Sequence, residues 1–145
     1  MIIVDANLLL YAHDALSERH DAARRWLETV LSEEHDVRFA LATLLAFIRI
    51  GSDPRVFERP LAIEEAVGIV GSWLARANVS MAAPGDRHWT VLADVARDGQ
   101  ARGPRAMDAH LAALAIEHGA LLMTTDRGFS RFLGLRFRDP LRTRS

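Results

Sequence analysis

Three aspartates stand where this chain could carry metal-assisted chemistry. Asp5 directly follows a short β-branched run, Ile2-Ile3-Val4. Asp126 follows a second apolar run at 120–124. Asp108 falls in the first turn of a helix expected over residues 105–118. Acids just past the carboxyl ends of parallel strands lie where α/β sheets bind ligands. If the first and fourth strands are neighbours, all three carboxylates share one cleft. Crowded carboxylates repel one another unless a cation lies between them. All-oxygen donors favour a hard ion, Mg²⁺ or Mn²⁺. Such an ion activates a water and stabilises charge on a phosphate. Each acid also has a purely local reading: Asp108 as a helix-dipole partner, Asp5 and Asp126 as turn or cap residues. Asn7 and Thr125, beside two of the acids, are types that orient a ligand or a water, and they are also ordinary turn residues.

The elements that must position these acids follow from pattern. A buried strand at 2–4 ends at Asp5. Ser17 caps a helix expected over 18–31, with Ala22, Trp26 and Val30 on one face. A short strand at 37–40 precedes an apolar helix at 41–50 that stops at Gly51. Asp53-Pro54 and Arg59-Pro60 mark a loop. A second amphipathic helix spans 62–76, with Glu64 and Glu65 in its first turn. A strand at 79–83 and the turn Pro84-Gly85 lead to a helix from Asp86, as its cap, to about residue 98. After a Gly-rich connection at 99–104 come the helix that carries Asp108, closed by Gly119, and a strand at 120–124. A short helix or turn at 128–133 and an edge strand at 135–138 complete the chain. Short apolar strands alternating with helices predict an α/β fold with a largely parallel sheet. The 145 residues fit a single domain, 1–145.

Composition narrows the chemistry. The chain has no Cys, which excludes disulfides, thiolate zinc sites and a cysteine nucleophile. It has no Lys, which excludes Schiff-base chemistry and the P-loop lysine. The six histidines are scattered and make no zinc set. No apolar run is long enough to span a bilayer, and the N-terminus lacks a basic leader, so the expected location is the cytoplasm. Net charge is −1, but it is unevenly spread. Residues 1–96 hold nine Arg against fourteen acids, and residues 97–145 hold nine Arg against five acids. A basic final third can meet a polyanion.

Several segments together resemble one family. They are Ile3-Val4-Asp5-Ala6-Asn7, then Phe47-Ile48-Arg49-Ile50 with Asp53-Pro54-Arg55-Val56-Phe57. Later come Met107-Asp108-Ala109-His110-Leu111-Ala112-Ala113-Leu114-Ala115, Thr124-Thr125-Asp126-Arg127-Gly128-Phe129 and Leu135-Arg136-Phe137-Arg138-Asp139-Pro140-Leu141. In this order and at these separations the chain resembles the PIN-domain ribonucleases of the VapC toxin type over nearly its whole length. The resemblance implies a PIN-like three-layer fold, a five-stranded parallel sheet flanked by helices. It implies an endoribonuclease dependent on Mg²⁺ or Mn²⁺, acting on structured RNA such as tRNA or ribosomal RNA. It implies a cognate VapB-type antitoxin that blocks the site, and a paired, homodimeric toxin. Asp5, Asp108 and Asp126 match three of the family's four acids in type and context.

The fourth acid departs from the pattern. The family usually carries Glu in the middle helix, directly before the apolar-Arg segment, and here that position is Ala46. Alanine ligates no cation. Three accounts stand side by side: a deliberate inactivating replacement, a natural enzyme that works with three acids, and a natural inactive homologue that binds antitoxin or RNA without chemistry. A phosphatase is a weaker rival, because position 7 is Asn where a D-x-D nucleophile pair needs Asp.

Arginines near the acids are the candidate RNA contacts: Arg102 and Arg105 before Asp108, Arg127 and Arg131 after Asp126. Arg136 and Arg138 share one face of the last strand. Aromatic residues are only 7% of the chain, and Trp26, Trp73 and Trp89 all fall on apolar helical faces, so no base-stacking stripe is visible. Leu44, Leu45, Phe47 and Ile48 cluster as core, with part of that surface available to an antitoxin helix or a second subunit.

Overall fold

The computed structural model describes residues 1–32 and 35–142. These form five strands and six α-helices. In chain order they are β1 (Ile2–Val4), α1 (Ala6–His13), α2 (His20–Ser32), β2 (Val37–Phe39), α3 (Leu41–Gly51), α4 (Ile63–Leu74), β3 (Val79–Met81), α5 (His88–Asp98), α6 (Arg105–His118), β4 (Leu121–Met123) and β5 (Phe137–Arg138). A 3₁₀ turn, Arg127–Arg131, lies between β4 and β5. The strands order as β3-β2-β1-β4-β5, and every pairing is parallel. The fold is α/β, as expected, with a parallel sheet between two helical layers.

Period-two alternation assigns each layer its share of the sheet. Val4, Val37, Phe39, Val79 and Met123 face α1–α4, where they join Leu8, Leu27, Leu44, Phe47 and Trp73. Ile3 and Leu122 face the other way and join Val95, Leu114 and Phe129. Helix α6 buries Ala109 and the run Leu111–Ala115, almost all round its axis, and packs against α5 and β4. It ends at Gly119, whose φ of 62° is the left-handed C-cap that glycine tolerates.

The chain leaves β1 for β2 and β3 on one side and reaches β4 and β5 on the other. The direction of winding therefore reverses between β1 and β4. That reversal opens a crevice at the carboxyl ends of the two strands. Val4 pairs with Met123 in register, so the residues after them, Asp5 and Thr124, emerge side by side.

Four details depart from expectation. Helix α1 was not expected; its Leu8-Leu9-Leu10 run hides the helical period, and two of those leucines are buried. In α2 the buried residues are Ala23, Leu27, Val30 and Leu31, while Ala22 is exposed. Helix α5 starts at His88 behind Arg87, without the expected Asp86 cap. Trp89, expected in the core, is 77% exposed on α5.

Candidate active site

Asp5 is set by both of its neighbours in the crevice. Its Oδ1 accepts the Ala6 N–H at 2.8 Å, which caps α1. Its Oδ2 accepts the Thr124 hydroxyl at 2.7 Å. Thr124 is fully buried, and its Oγ1 also accepts the Asp126 N–H at 3.0 Å. One hydroxyl thus ties the acid after β1 to the acid after β4. Asp126 caps the 3₁₀ turn, with Oδ1 accepting the Gly128 N–H at 2.8 Å. The cap readings of Asp5 and Asp126 both hold, and capping brings the two acids together rather than apart.

Asp108 enters from the first turn of α6. Arg105, one turn earlier, bridges it to Asp126. A single nitrogen, Nη1, donates to Asp108 Oδ2 at 2.9 Å and to Asp126 Oδ2 at 2.8 Å. Burial pushes the Asp5 carboxyl above its ordinary range, opposed by the bonds from Thr124 and Ala6, and the charges of Asp108 and Asp126 push it further. Burial raises Asp108 as well, against the pull of Arg105.

A cleft of about 590 Å³ opens beside these acids. Asp5, Asp108, His110, Arg49, Thr43 and Ser52 supply its polar lining. Ala46, Leu45, Ile48, Ile63 and Met107 supply much of the rest. Position 46 therefore shares a cleft with Asp5 and Asp108, and the side chain there is a methyl group. Leu45, Ile63 and Met107 are each more than half exposed, so the apolar wall is open to a partner.

The donor chemistry fits a hard divalent cation: three carboxylates, two of them disfavoured as anions by burial. Asn7, in the first turn of α1, adds a buried Oδ1 with no hydrogen-bond partner among the described residues. The ligands are not gathered in advance. Among the described residues no group of three His, Asp or Glu is spaced to hold a metal. Arg105 lies between two of the acids and supplies positive charge there.

The remaining expected site residues divide clearly. Thr125 is half-buried and makes no hydrogen bond to the acids; Thr124, which sequence reasoning assigned only to the strand, makes both. The side chains of Arg102 and Arg127 are exposed and carry no hydrogen bond or ion pair within the described residues. Arg131 instead donates to the carbonyls of Gly128 and Gly99, pinning the 3₁₀ turn to the end of α5. Arg136 donates to Gly119 O.

The geometry can be compared with known proteins. A model of the family described as PIN domain matches residues 2–134. The chain is 42% identical over 140 residues to Ribonuclease VapC37 of Mycobacterium tuberculosis, covering 97% of each chain. It is 38% identical over 141 residues to Ribonuclease VapC43 of the same organism, covering 97% of this chain and 96% of that one. A solved structure of VapBC-1 from nontypeable Haemophilus influenzae shares the fold, with a TM-score of 0.67 at 19% identity over 98% of this chain and 100% of that one.

Proposed function

This chain belongs to the PIN-domain family, and from that premise we propose that it is a VapC-type endoribonuclease, the toxin of a toxin–antitoxin pair. The observation that carries the reading is the linkage of three acids at the β1/β4 crevice beside an open cleft, Asp5 to Asp126 through Thr124 and Asp126 to Asp108 through Arg105. Asp5, Asp108 and Asp126 would hold Mg²⁺ or Mn²⁺. When bound, such an ion supplies an activated water and offsets charge on the scissile phosphate. Thr124 fixes the Asp5 carboxylate through its hydroxyl, and Asn7 offers an unused acceptor nearby in sequence. Arg102 and Arg127, with free guanidinium groups, hold phosphates of an RNA such as tRNA or ribosomal RNA. Arg105 and Arg131 add positive charge from inside the site.

A VapB-type antitoxin is the partner we assign to the apolar wall of the cleft, where Leu45, Ile63 and Met107 are exposed next to the acids. A homodimer in the cytoplasm completes the reading. Position 46 favours a second reading. A methyl group there leaves the cation one carboxylate short, which is the state of an attenuated enzyme or of a scaffold that binds antitoxin or RNA without cutting. Loss of a direct ligand costs metal affinity by about 10–100-fold or more.

One paired assay separates these. This chain and its Ala46→Glu variant are incubated with total RNA and Mn²⁺, each with a chelator control. Chelator-sensitive cleavage by both, abolished by Asp108→Asn, supports a three-acid ribonuclease. Cleavage by the Glu variant alone identifies a site disarmed at position 46. Silence from both, with RNA still bound, supports the non-cleaving scaffold.

A further inference from the structure

A second polar system runs through the α5/α6 layer and ends in the same cleft. Glu117, in the last turn of α6, is nearly buried, its side chain 10% exposed. Its Oε1 accepts the Gly85 N–H at 3.3 Å, and its Oε2 accepts from His88 Nδ1. His88, at the start of α5, is equally buried. Its other nitrogen, Nε2, lies 2.9 Å from His110 Nδ1, so one proton is shared between the two rings. The rings meet edge to face, with centroids 4.9 Å apart. His110 sits two residues beyond Asp108 on α6, and its ring lines the cleft that Asp5 and Asp108 line.

Each carboxylate oxygen and ring nitrogen of the Glu117–His88–His110 relay has a partner among the described residues except one. Both Glu117 oxygens, both His88 nitrogens and His110 Nδ1 have partners. His110 Nε2 has none among the described residues. The bond at Nδ1 fixes the ring's orientation and leaves Nε2 as the terminus of the chain. A tie between α5 and α6 needs only Glu117 and His88; it does not need a third ring on the cleft wall. Burying two imidazoles and a carboxylate is costly unless each is hydrogen-bonded.

We propose that His110 contacts substrate: its Nε2, anchored through His88 and Glu117, hydrogen-bonds the sugar–phosphate backbone of RNA bound in the cleft. RNA backbone suits this atom in either ring tautomer. Phosphate oxygens accept from an N–H, and a 2′-hydroxyl both donates and accepts. The proposal rests on the ribonuclease reading and adds a residue to it. His110 and Ala46 line the same cleft.

Two conservative substitutions separate contact from scaffolding. The Asn amide reproduces the Nδ1 position of histidine, and the Gln amide reproduces Nε2. His110→Asn therefore keeps the bond to His88 and loses the cleft contact, whereas His110→Gln does the reverse. Affinity for a fluorescein-labelled tRNA is measured with the full chain and a chelator, so that nothing is cut. Thermal melting of each variant reports folding, and Mn²⁺ calorimetry without RNA reports the acids. Losing one hydrogen bond to a charged group weakens binding by about tenfold. The expected result is His110→Asn about tenfold weaker than the parent despite a parental melting temperature, with His110→Gln, which keeps the contact and loses its anchor, between the two. Mn²⁺ affinity is the same in all. Parental tRNA affinity in His110→Asn overturns the proposal and leaves His110 as a helix tie. His110→Gln no better than His110→Ala also overturns it. A change confined to the Mn²⁺ titration overturns it in favour of metal ligation. A parent chain that retains no tRNA fails the ribonuclease reading itself, and this proposal with it.

Discussion

A methyl group on Gly128 would lie 2.3 Å from a guanidinium nitrogen of Arg105. Gly128 has no left-handed backbone to explain its choice. What the missing side chain leaves room for is the guanidinium that spans Asp108 and Asp126. The two residues are one device: a glycine floor and a cation held over it. Gly128→Ala meets only the far end of a flexible side chain, so the protein folds and Arg105 is pushed off at least one acid. We expect Mn²⁺ to bind several-fold tighter than to the parent in calorimetry, with melting nearly unchanged. Unchanged affinity would mean that the guanidinium finds another seat on the same carboxylates.

Removing the cation outright should act in the same direction and more strongly. Arg105 is partly exposed, so each of its two ion pairs is worth far less than its Coulomb energy in a dry interior. A net effect of about 1 kcal/mol corresponds to a several-fold change in affinity. Arg105→Gln is expected to tighten Mn²⁺ by several-fold to about tenfold at low salt, and to lose most of that gain at high salt. Binding of tRNA in chelator should weaken in the same variant, because a positive charge has left the site. A variant that loses both affinities would show that Arg105 organises the acids rather than competing for them.

Thr124 is the hinge between the two strands' acids. Thr124→Val keeps the shape and removes the hydroxyl, leaving Asp5 Oδ2 and the Asp126 N–H without that partner. Unsatisfied buried groups cost about 1–3 kcal/mol each, and we expect a loss in that range in urea unfolding. The Thr124 bond also favours the ionised form of Asp5. Without it the carboxyl rises further, so Mn²⁺ binding, which needs the carboxylate, should require higher pH than in the parent. A variant that loses stability but keeps the parental pH dependence would place Asp5 under other control.

The site was legible in sequence to the extent that it obeys local rules. Asp5 and Asp126 stand after apolar runs, and Asp108 stands in a helical first turn; each position follows from period and punctuation. Whether they meet depends on β1 lying beside β4, a pairing across the chain that no local pattern states. The choice between Thr124 and Thr125 is set by register: only the hydroxyl level with Asp5 can reach it, and adjacent threonines look alike in sequence. Arg105 was read as a phosphate contact because of its charge, yet one of its partners lies 21 residues away. The His88–His110 and His88–Glu117 contacts span 22 and 29 residues, so six scattered histidines gave no hint of a chain. Trp89 shows the opposite failure. It is apolar and on an amphipathic helix, yet it is exposed while Leu92 and Ala96, one and two turns on, pack against the core.

Asp5 makes the metal-free protein's stability depend on pH with a sign opposite to the usual carboxylate. Burial raises its folded-state carboxyl above the unfolded one, and Asp108 is raised in the same direction. Between the unfolded and folded values the native state holds more protons than the unfolded state. The contribution to stability is complete below the unfolded value and is lost as pH rises through the folded one. Above the folded value the chelated protein therefore bears the whole cost of an ionised, crowded Asp5. Asp5→Asn removes that cost and keeps an acceptor for the Ala6 N–H. Its melting temperature should exceed the parent's at neutral pH in chelator, and the gap should close in mild acid. Mn²⁺ should reverse the order at neutral pH, since a ligand that binds only the native state stabilises the parent and has lost a carboxylate in the variant. A variant that melts below the parent in chelator at neutral pH would mean that the hydrogen bonds from Thr124 and Ala6 outweigh burial, and that the acids need no cation to coexist.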